Sequence, residues 1–265
     1  MMNTATQSIG RSFSQAAASY DQAASLQFEV GHELLGLIPS GLKVSRWLDL
    51  GCGTGSFCVE LASKYPQADG VALDLAPGML DAARQRQPQL AFVCADAGKL
   101  PLMPGSLDLI YSNFALQWCS DFPRVLQQAF LMLKPGGVLA FTSVLDGSLA
   151  ELKHSWQQVD SHQHVNEFRT FGQYQQACSD SGFARVHLLQ QGRQCYWPEV
   201  RDVLLNLKQT GATHLRHGRA AGLLSSQRFR RLQQAYEQHR CAHGLPLSWQ
   251  LVFGVLHKSQ AGSHD

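Results

Sequence analysis

Ser45-Arg-Trp-Leu-Asp-Leu-Gly-Cys-Gly-Thr-Gly-Ser-Phe57 decides the fold. A short apolar strand runs into a glycine loop with an acid at its mouth, and a helical pattern follows. Gly51, Gly53 and Gly55 let backbone approach a ligand closely and take torsions that a Cβ opposes. Asp49 offers a carboxylate to an ammonium group, as the methionine end of S-adenosylmethionine requires. A dinucleotide fingerprint would place its third glycine at position 56, where Ser56 stands. The nicotinamide reading weakens accordingly.

Working outward, Ala68 to Leu75 reads as a second strand ending near Asp74, 19 residues past Gly55. In a doubly wound sheet the end of strand two lies beside the first loop, so Asp74 is the candidate acceptor for the two hydroxyls of a ribose. A third apolar run, Leu90 to Cys94, ends in Ala95-Asp96-Ala97, where Asp96 and the amide of Ala97 suit an adenine edge. Each acid alone could cap a helix. Three at successive strand ends are harder to explain that way.

Strand four is expected at Leu107 to Ser112. Strand five is expected at Gly137 to Val144, after a turn at Lys134-Pro-Gly-Gly137. Ser148-Leu-Ala-Glu151 has the spacing of a capping box for a following helix. A short helix fits Gly172 to Ser179, strand six Arg185 to Leu189 and strand seven Trp249 to His257. Strands alternating with helices imply parallel βαβ units. The expected fold is therefore α/β: a Rossmann-like, doubly wound, mostly parallel sheet of seven strands.

The organisation follows as an N-terminal helical segment (1–40), an α/β core (41–192), a helical lid inserted between strands six and seven (193–247), the last core strand (248–258) and a loose tail (259–265). The insertion is too long for an ordinary connection. Val200, Val203, Leu204 and Leu207 give it one helical stripe, and Phe229, Leu232 and Tyr236 another.

At 265 residues and 45% hydrophobic, the chain can bury one sizeable core. Met1 to Arg11 lacks a basic segment leading into an apolar run, and no stretch has the length of a membrane span, so a cytoplasmic protein without membrane association is expected. Seven cysteines form no Cys-x-x-Cys pair, and the closest histidines, His162 and His164, have no second pair at ligand spacing. No metal site is expected, and those two histidines are expected at the surface. From Gln191 onward ten Lys and Arg face four Asp and Glu, so the basic surface belongs to the C-terminal third. Such a face is either simply solvated or steers an anionic partner.

The run Asp49 to Gly55 and the strand order resemble class I S-adenosylmethionine-dependent methyltransferases over residues 45–145. Further segments are similar to the malonyl-acyl-carrier-protein O-methyltransferase family of biotin synthesis, the BioC family: Phe13-Ser-Gln-Ala-Ala-Ala-Ser-Tyr20-Asp21, Ser112-Asn-Phe-Ala-Leu-Gln-Trp118-Cys119, Phe141-Thr142, Gly147-Ser-Leu-Ala-Glu-Leu152 and, most discriminating, Gly211-Ala-Thr-His-Leu215. The resemblance implies methyl transfer from S-adenosyl-L-methionine to the free carboxylate of a malonyl thioester on acyl carrier protein or coenzyme A. A malonyl carboxylate is ionised at neutral pH, so no general base is needed; rate must come from alignment and exclusion of water.

Roles follow from that resemblance. Asp49, Gly51, Gly53 and Gly55 line the methionine end, Asp74 holds the ribose, and Asp96 with Ala97 frames the adenine. Asn113 and Phe114 close over the sulfonium. Tyr20 or Thr142 supplies a neutral donor near the reacting oxygen. Gln117 and Trp118 shape the acceptor pocket, and Thr213, His214, Arg216 and Arg219 in the lid recognise malonyl or phosphate. Alternatives from the same reading are methylation of a small free carboxylic acid or a quinone, and a non-catalytic S-adenosylmethionine-binding scaffold. Nucleic acid is not an expected partner, because Asn113 leads into Phe-Ala-Leu and not into the Pro-Pro-aromatic sequence of base methylases.

Overall fold

A computed structural model describes residues 4–212 and 225–260. Its centre is β1 (Arg46–Leu50), where Trp47 and Leu50 are sealed on opposite faces. This two-sided burial is why a central parallel strand reads as a continuous apolar run. β2 (Asp69–Asp74) and β3 (Ala91–Cys94) add on one side of it, and β4 (Leu107–Ser112) and β5 (Leu133–Val144) on the other, all parallel. β6 (Arg185–Trp197) and β7 (Leu245–His257) complete a sheet of order β3-β2-β1-β4-β5-β7-β6, with β7 antiparallel to both neighbours. The order in which strands are added reverses between β1 and β4, which opens a crevice at their carboxyl ends.

Two helical layers cover the sheet. On one face lie α3 (Ser25–Leu37), α4 (Ser56–Lys64) and α5 (Pro77–Arg86); on the other lie α6 (Phe122–Met132) and α8 (Phe171–Ser179). The N-terminal segment, expected as helix-like from 9 to 38, is broken. α1 (Thr4–Ala16) and the single turn α2 (Tyr20–Ala23) precede α3, and α1 lies across α5.

Four expectations change. Strand six does not stop at Leu189: β6 and β7 pair along their whole length, from Arg185↔His257 to Trp197↔Leu245, so the helical insertion occupies 198–244. β6 is the sheet edge, and its polar outward residues hid the strand. β5 starts at Leu133, its irregular entry taking up the Lys134–Gly137 turn. The capping box at Ser148 does not form. Ser148 Oγ instead bonds the backbone of Gln250 and Glu151 bonds Ser248, tying the start of α7 (Ala150–Gln157) to β7. His164 is not a surface ring: it stacks on Trp156 at 3.7 Å and bonds Asp160.

Within the insertion, α9 (Val200–Gln209) packs on α2, where Asn206 Nδ2 donates to the carbonyl of Ala23 at 2.9 Å. α10 (Ser226–Glu237) packs on α7, where Arg228 pairs with Asp160. No helix among the described residues is long and apolar enough to cross a membrane.

One contact sets the seat of α3. A Cβ added to Gly31 would lie 2.0 Å from Phe57, and the same Gly31 carbonyl accepts the Tyr111 hydroxyl at 2.9 Å. Gly31→Ala is expected to lower stability by about 1–3 kcal/mol through overpacking. Urea unfolding checks this; an unchanged midpoint would show that α3 and α4 are not in that contact.

Candidate functional site

A cavity of about 960 Å³ opens at the carboxyl ends of β1, β2, β3 and β4, roofed by Thr6, Ile9 and Phe13 of α1. Its floor is the glycine loop. The amides of Gly51 and Cys52 both donate to the Leu73 carbonyl, at 2.7 and 3.0 Å, and Gly53 N–H donates to Asp74 Oδ2 at 2.9 Å. Gly53 lines the cavity with φ +54° and open space where a Cβ would stand. Gly55, also left-handed, is off the wall, and its Cβ would lie 2.8 Å from Ala83. Gly55 therefore serves the close approach of α4 to α5, not ligand contact.

Asp74 is on the wall. Its Oδ2 is bound by Gly53 and its Oδ1 by the Ala76 amide at 2.8 Å. With the Leu75 amide as a further backbone partner, the carboxylate still keeps acceptor capacity for a diol. Burial raises its carboxyl above the ordinary value, and the backbone amides partly offset this. Asp96 and Ala97 also line the cavity, Asp96 Oδ1 accepting from Gly98 N–H at 2.8 Å, so it closes its own turn.

Asp49 is not on the wall but behind the loop, only 2% exposed. Burial pushes its carboxyl up to about 7; the Cys58 thiol, donating at 3.2 Å, opposes the rise and the nearby Asp74 charge adds to it.

Tyr20 reaches the cavity from α2. Burial raises its phenol far above the usual range, and the charges of Asp74 and Asp21 raise it further. The hydroxyl stays protonated near neutral pH and can donate a hydrogen bond. The next residue, Asp21, which the sequence reading gave no role, latches α2 to the floor: it accepts from Thr54 Oγ1 at 2.6 Å and pairs with Arg86. Arg86 in turn donates to Ser56 Oγ at 2.6 Å.

After β4, Asn113, Phe114 and Trp118 line the cavity, and Trp118 meets Phe13 edge-on at 5.3 Å. Thr142 does not line it. Fully buried on β5, it donates to Asn113 Oδ1 at 2.7 Å and accepts from Phe114 N–H at 3.0 Å. Gln117 is likewise turned away, its Nε2 donating to the Phe114 carbonyl at 2.7 Å. Thr142 was expected near the reacting oxygen and Gln117 at the acceptor pocket; both instead bond the segment that follows β4 from behind the cavity wall. Thr213, His214, Arg216 and Arg219 lie outside the described residues. Of that motif Gly211 and Ala212 are described, and Gly211 abuts the Phe13 ring. Lys99 and Arg124, which sequence reasoning missed, stand on the wall beside Asp96. Arg124 Nε donates to the Gly98 carbonyl at 2.8 Å, and nothing in the local sequence marks that fold-dependent contact. Among the described residues, no group of three or more His, Cys, Asp or Glu is placed to hold a metal.

Residues 48–141 match a family model described as a methyltransferase domain. The fold is similar to that of the YcgJ protein of Bacillus subtilis (TM-score 0.59, 17% identity, 87% of this chain and 100% of that one). It is similar also to a phosphoethanolamine N-methyltransferase of Haemonchus contortus in complex with S-adenosyl-L-methionine (TM-score 0.59, 17% identity, 93% of this chain and 57% of that one). The sheet order and the crevice are those of a class I methyltransferase.

Full-length relatives narrow the class. The chain is 42% identical to a malonyl-[acyl-carrier protein] O-methyltransferase of Yersinia pestis, over 97% of this chain and 93% of that protein. It is 42% identical to that of Serratia marcescens, over 95% and 96%. It is also 41% identical to the biotin biosynthesis bifunctional protein BioHC of Cellvibrio japonicus, of which it spans 50%. The chain belongs to the malonyl-[acyl-carrier protein] O-methyltransferase family.

Asp49 makes the site's stability pH-dependent. Its carboxyl titrates near 7 when folded and at 3.8 in the reference state, so between about pH 4 and 7 the folded chain binds more protons than the unfolded one. Stability therefore falls as pH rises through that window and levels off above it. Asp49→Asn should flatten the fall, leaving the part due to Asp74 and the opposing rise due to the depressed His257. Urea midpoints at pH 5 and pH 8 measure it; parallel profiles for the two proteins would remove Asp49 as the source.

Proposed function

We propose that the protein transfers the methyl group of S-adenosyl-L-methionine to the free carboxylate of a malonyl thioester carried on acyl carrier protein, forming the methyl ester used in biotin synthesis. The observation carrying this reading is the match to full-length malonyl-[acyl-carrier protein] O-methyltransferases across α1, the glycine loop and the insertion alike. The residues present fit the donor. Open space at Gly53, the remaining acceptor capacity of Asp74 and a floor carrying two carboxylates suit a sulfonium nucleoside with a diol and an ammonium group.

Asp74 would hold the ribose, Asp96 and Ala97 the adenine, and Gly51 and Gly53 the methionine end, with Asp49 supplying charge from behind the loop. When bound, the donor supplies an electrophilic methyl on a positively charged sulfur. The chain's own work is alignment. Tyr20, held protonated, would donate a hydrogen bond to the acceptor carboxylate without removing a proton from anything. Asn113 and Phe114 would close the reacting end, and Trp118 with Phe13 would exclude water from two opposite charges that cancel as the bond forms. The lid residues Thr213, His214, Arg216 and Arg219 would recognise the carrier side.

Purified protein given labelled S-adenosyl-L-methionine with malonyl-acyl carrier protein, malonyl-coenzyme A or free malonate should make methyl ester on the carrier thioester in preference to the free acid, read by product mass. Turnover of free acids or quinols without the thioester would overturn the assignment. Tyr20→Phe should keep donor affinity and slow turnover up to about tenfold, the value of one hydrogen bond. Normal turnover in that variant would remove Tyr20 from the mechanism.

A further inference from the structure

Phe114 takes a left-handed backbone, φ 51°, which for a residue with a Cβ costs about 1–2 kcal/mol. Both polar ends of this residue are bound by side chains. Its N–H donates to Thr142 Oγ1 at 3.0 Å, and its carbonyl accepts from Gln117 Nε2 at 2.7 Å. That donation fixes the Gln117 amide so that its oxygen faces Ser143, whose hydroxyl donates to it at 3.3 Å. With its one proton so used, Ser143 Oγ must accept from the Tyr174 hydroxyl, 2.6 Å away. Burial raises the Tyr174 phenol, while the charge and hydrogen bond of Arg169 oppose the rise. The donors thus all point one way, from Arg169 through Tyr174, Ser143 and Gln117 to the Phe114 carbonyl.

Arg169 grips the same segment a second time. Its Nη2 donates to the carbonyls of Cys119 at 2.8 Å and Ser120 at 2.6 Å, and its guanidinium lies over the Phe122 ring at 5.7 Å. Arg169 itself is seated on the end of β5, where its backbone bridges Leu145 and accepts from Asp146 N–H at 2.9 Å. Phe114, Trp118, Cys119 and Ser120 are on the cavity wall; Arg169 is not.

The two ends of the segment face different things. Ala115, near its start, touches the glycine loop, for a Cβ on Gly51 would lie 2.3 Å from the Ala115 Cβ. Trp118, at its far end, faces Phe13 of the roof. Arg169 holds the far end directly and the near end only through three intervening side chains. We propose that Arg169 is a positioning residue for the acceptor, setting the Trp118–Ser120 wall from behind the cavity without touching substrate. The proposal rests on the malonyl-thioester reading for what the acceptor is, and on the hydrogen bonds alone for what holds the wall.

Arg169→Met is expected to raise KM for malonyl-acyl carrier protein about tenfold, the worth of one hydrogen bond from a charged donor. The calorimetric Kd for S-adenosylhomocysteine should stay within about twofold, because the glycine loop is gripped only indirectly. Arg169→Lys should restore part of the loss, since a single ammonium cannot span both carbonyls and Tyr174. Tyr174→Phe, which cuts the relay and leaves the direct grip, should give a smaller rise. Amide hydrogen exchange of the ligand-free protein gives a readout that needs no acceptor: peptides covering 113–121 should exchange faster in Arg169→Met, with those of β1 to β3 unchanged. Unchanged exchange at 113–121 would overturn the proposal, as would donor and acceptor constants that rise together in step with a fall in Tm. Failure of wild-type protein to methylate the thioester would sink the functional reading and leave the exchange test of Arg169 standing.

Discussion

The site depends on a stitch between two strand ends. Three consecutive loop amides, those of Gly51, Cys52 and Gly53, all donate to the terminus of β2, two to the Leu73 carbonyl and one to the Asp74 carboxylate. Backbone amides beyond a strand end would otherwise need water or a cap. Spending them on β2 folds the loop over the neighbouring strand and brings the two acids of β1 and β2 close together. Asp74 then has a fixed orientation with lone pairs to spare, and Asp49 is sealed beneath. The crevice at the switch point is a property of the fold; that it presents carboxylates and not amides is a property of this stitch.

The electrostatic consequence is a cavity tuned for a cation. Burial, with the Asp74 charge adding to it, raises the carboxyl of Asp49 and the phenol of Tyr20, so each group resists further negative charge nearby. A positively charged ligand relieves that strain; a neutral or anionic one would not. The same field keeps Tyr20 protonated, which suits a hydrogen-bond donor and rules it out as a base near neutral pH. Asp21 completes the arrangement by fastening α2 to Thr54 and Arg86, so the helix carrying Tyr20 is tied to the loop it covers.

The parts legible in the sequence were those where burial is two-sided or a charged type stands at a strand end. β1, β2 and β4 read as apolar runs because both faces are covered; Asp74 and Asp96 were picked out by residue type and position and Tyr20 by the family resemblance, and all three line the cavity. The rest was hidden for stated physical reasons. The second half of β6 carries polar residues because it is an edge. Ser148 and Glu151 have the spacing of a cap, yet β7 competes successfully for both. Thr142 and Gln117 took their expected roles from the family resemblance, and neither resemblance nor periodicity tells a side chain pointing into a cavity from one bonding the backbone behind it. The basic C-terminal third is also less free than its composition suggests: Arg193 pairs with Glu29 and Glu33, Arg228 with Asp160 and Arg240 with Glu237.

A reaction that needs no proton transfer shifts the burden of catalysis onto geometry. With an ionised acceptor and a cationic donor, the chain can gain rate only by fixing distance and angle and by keeping water out, effects that together are worth several kcal/mol when alignment is tight. One neutral hydrogen bond contributes about 0.5–1.5 kcal/mol, so no single contact supplies such a sum. It has to come from many groups that hold one another. The wall from Asn113 to Ser120 has that character: Thr142 of β5, the wall's own Gln117 and the Arg169 guanidinium bind its backbone at four points, Ser143 of β5 and Tyr174 of α8 stand behind Gln117, and a strained residue is kept where relaxation would otherwise release it. The polar residues that the sequence offered as contacts for substrate are better employed there, because a wall that moves by a fraction of an ångström loses more than one extra contact would gain.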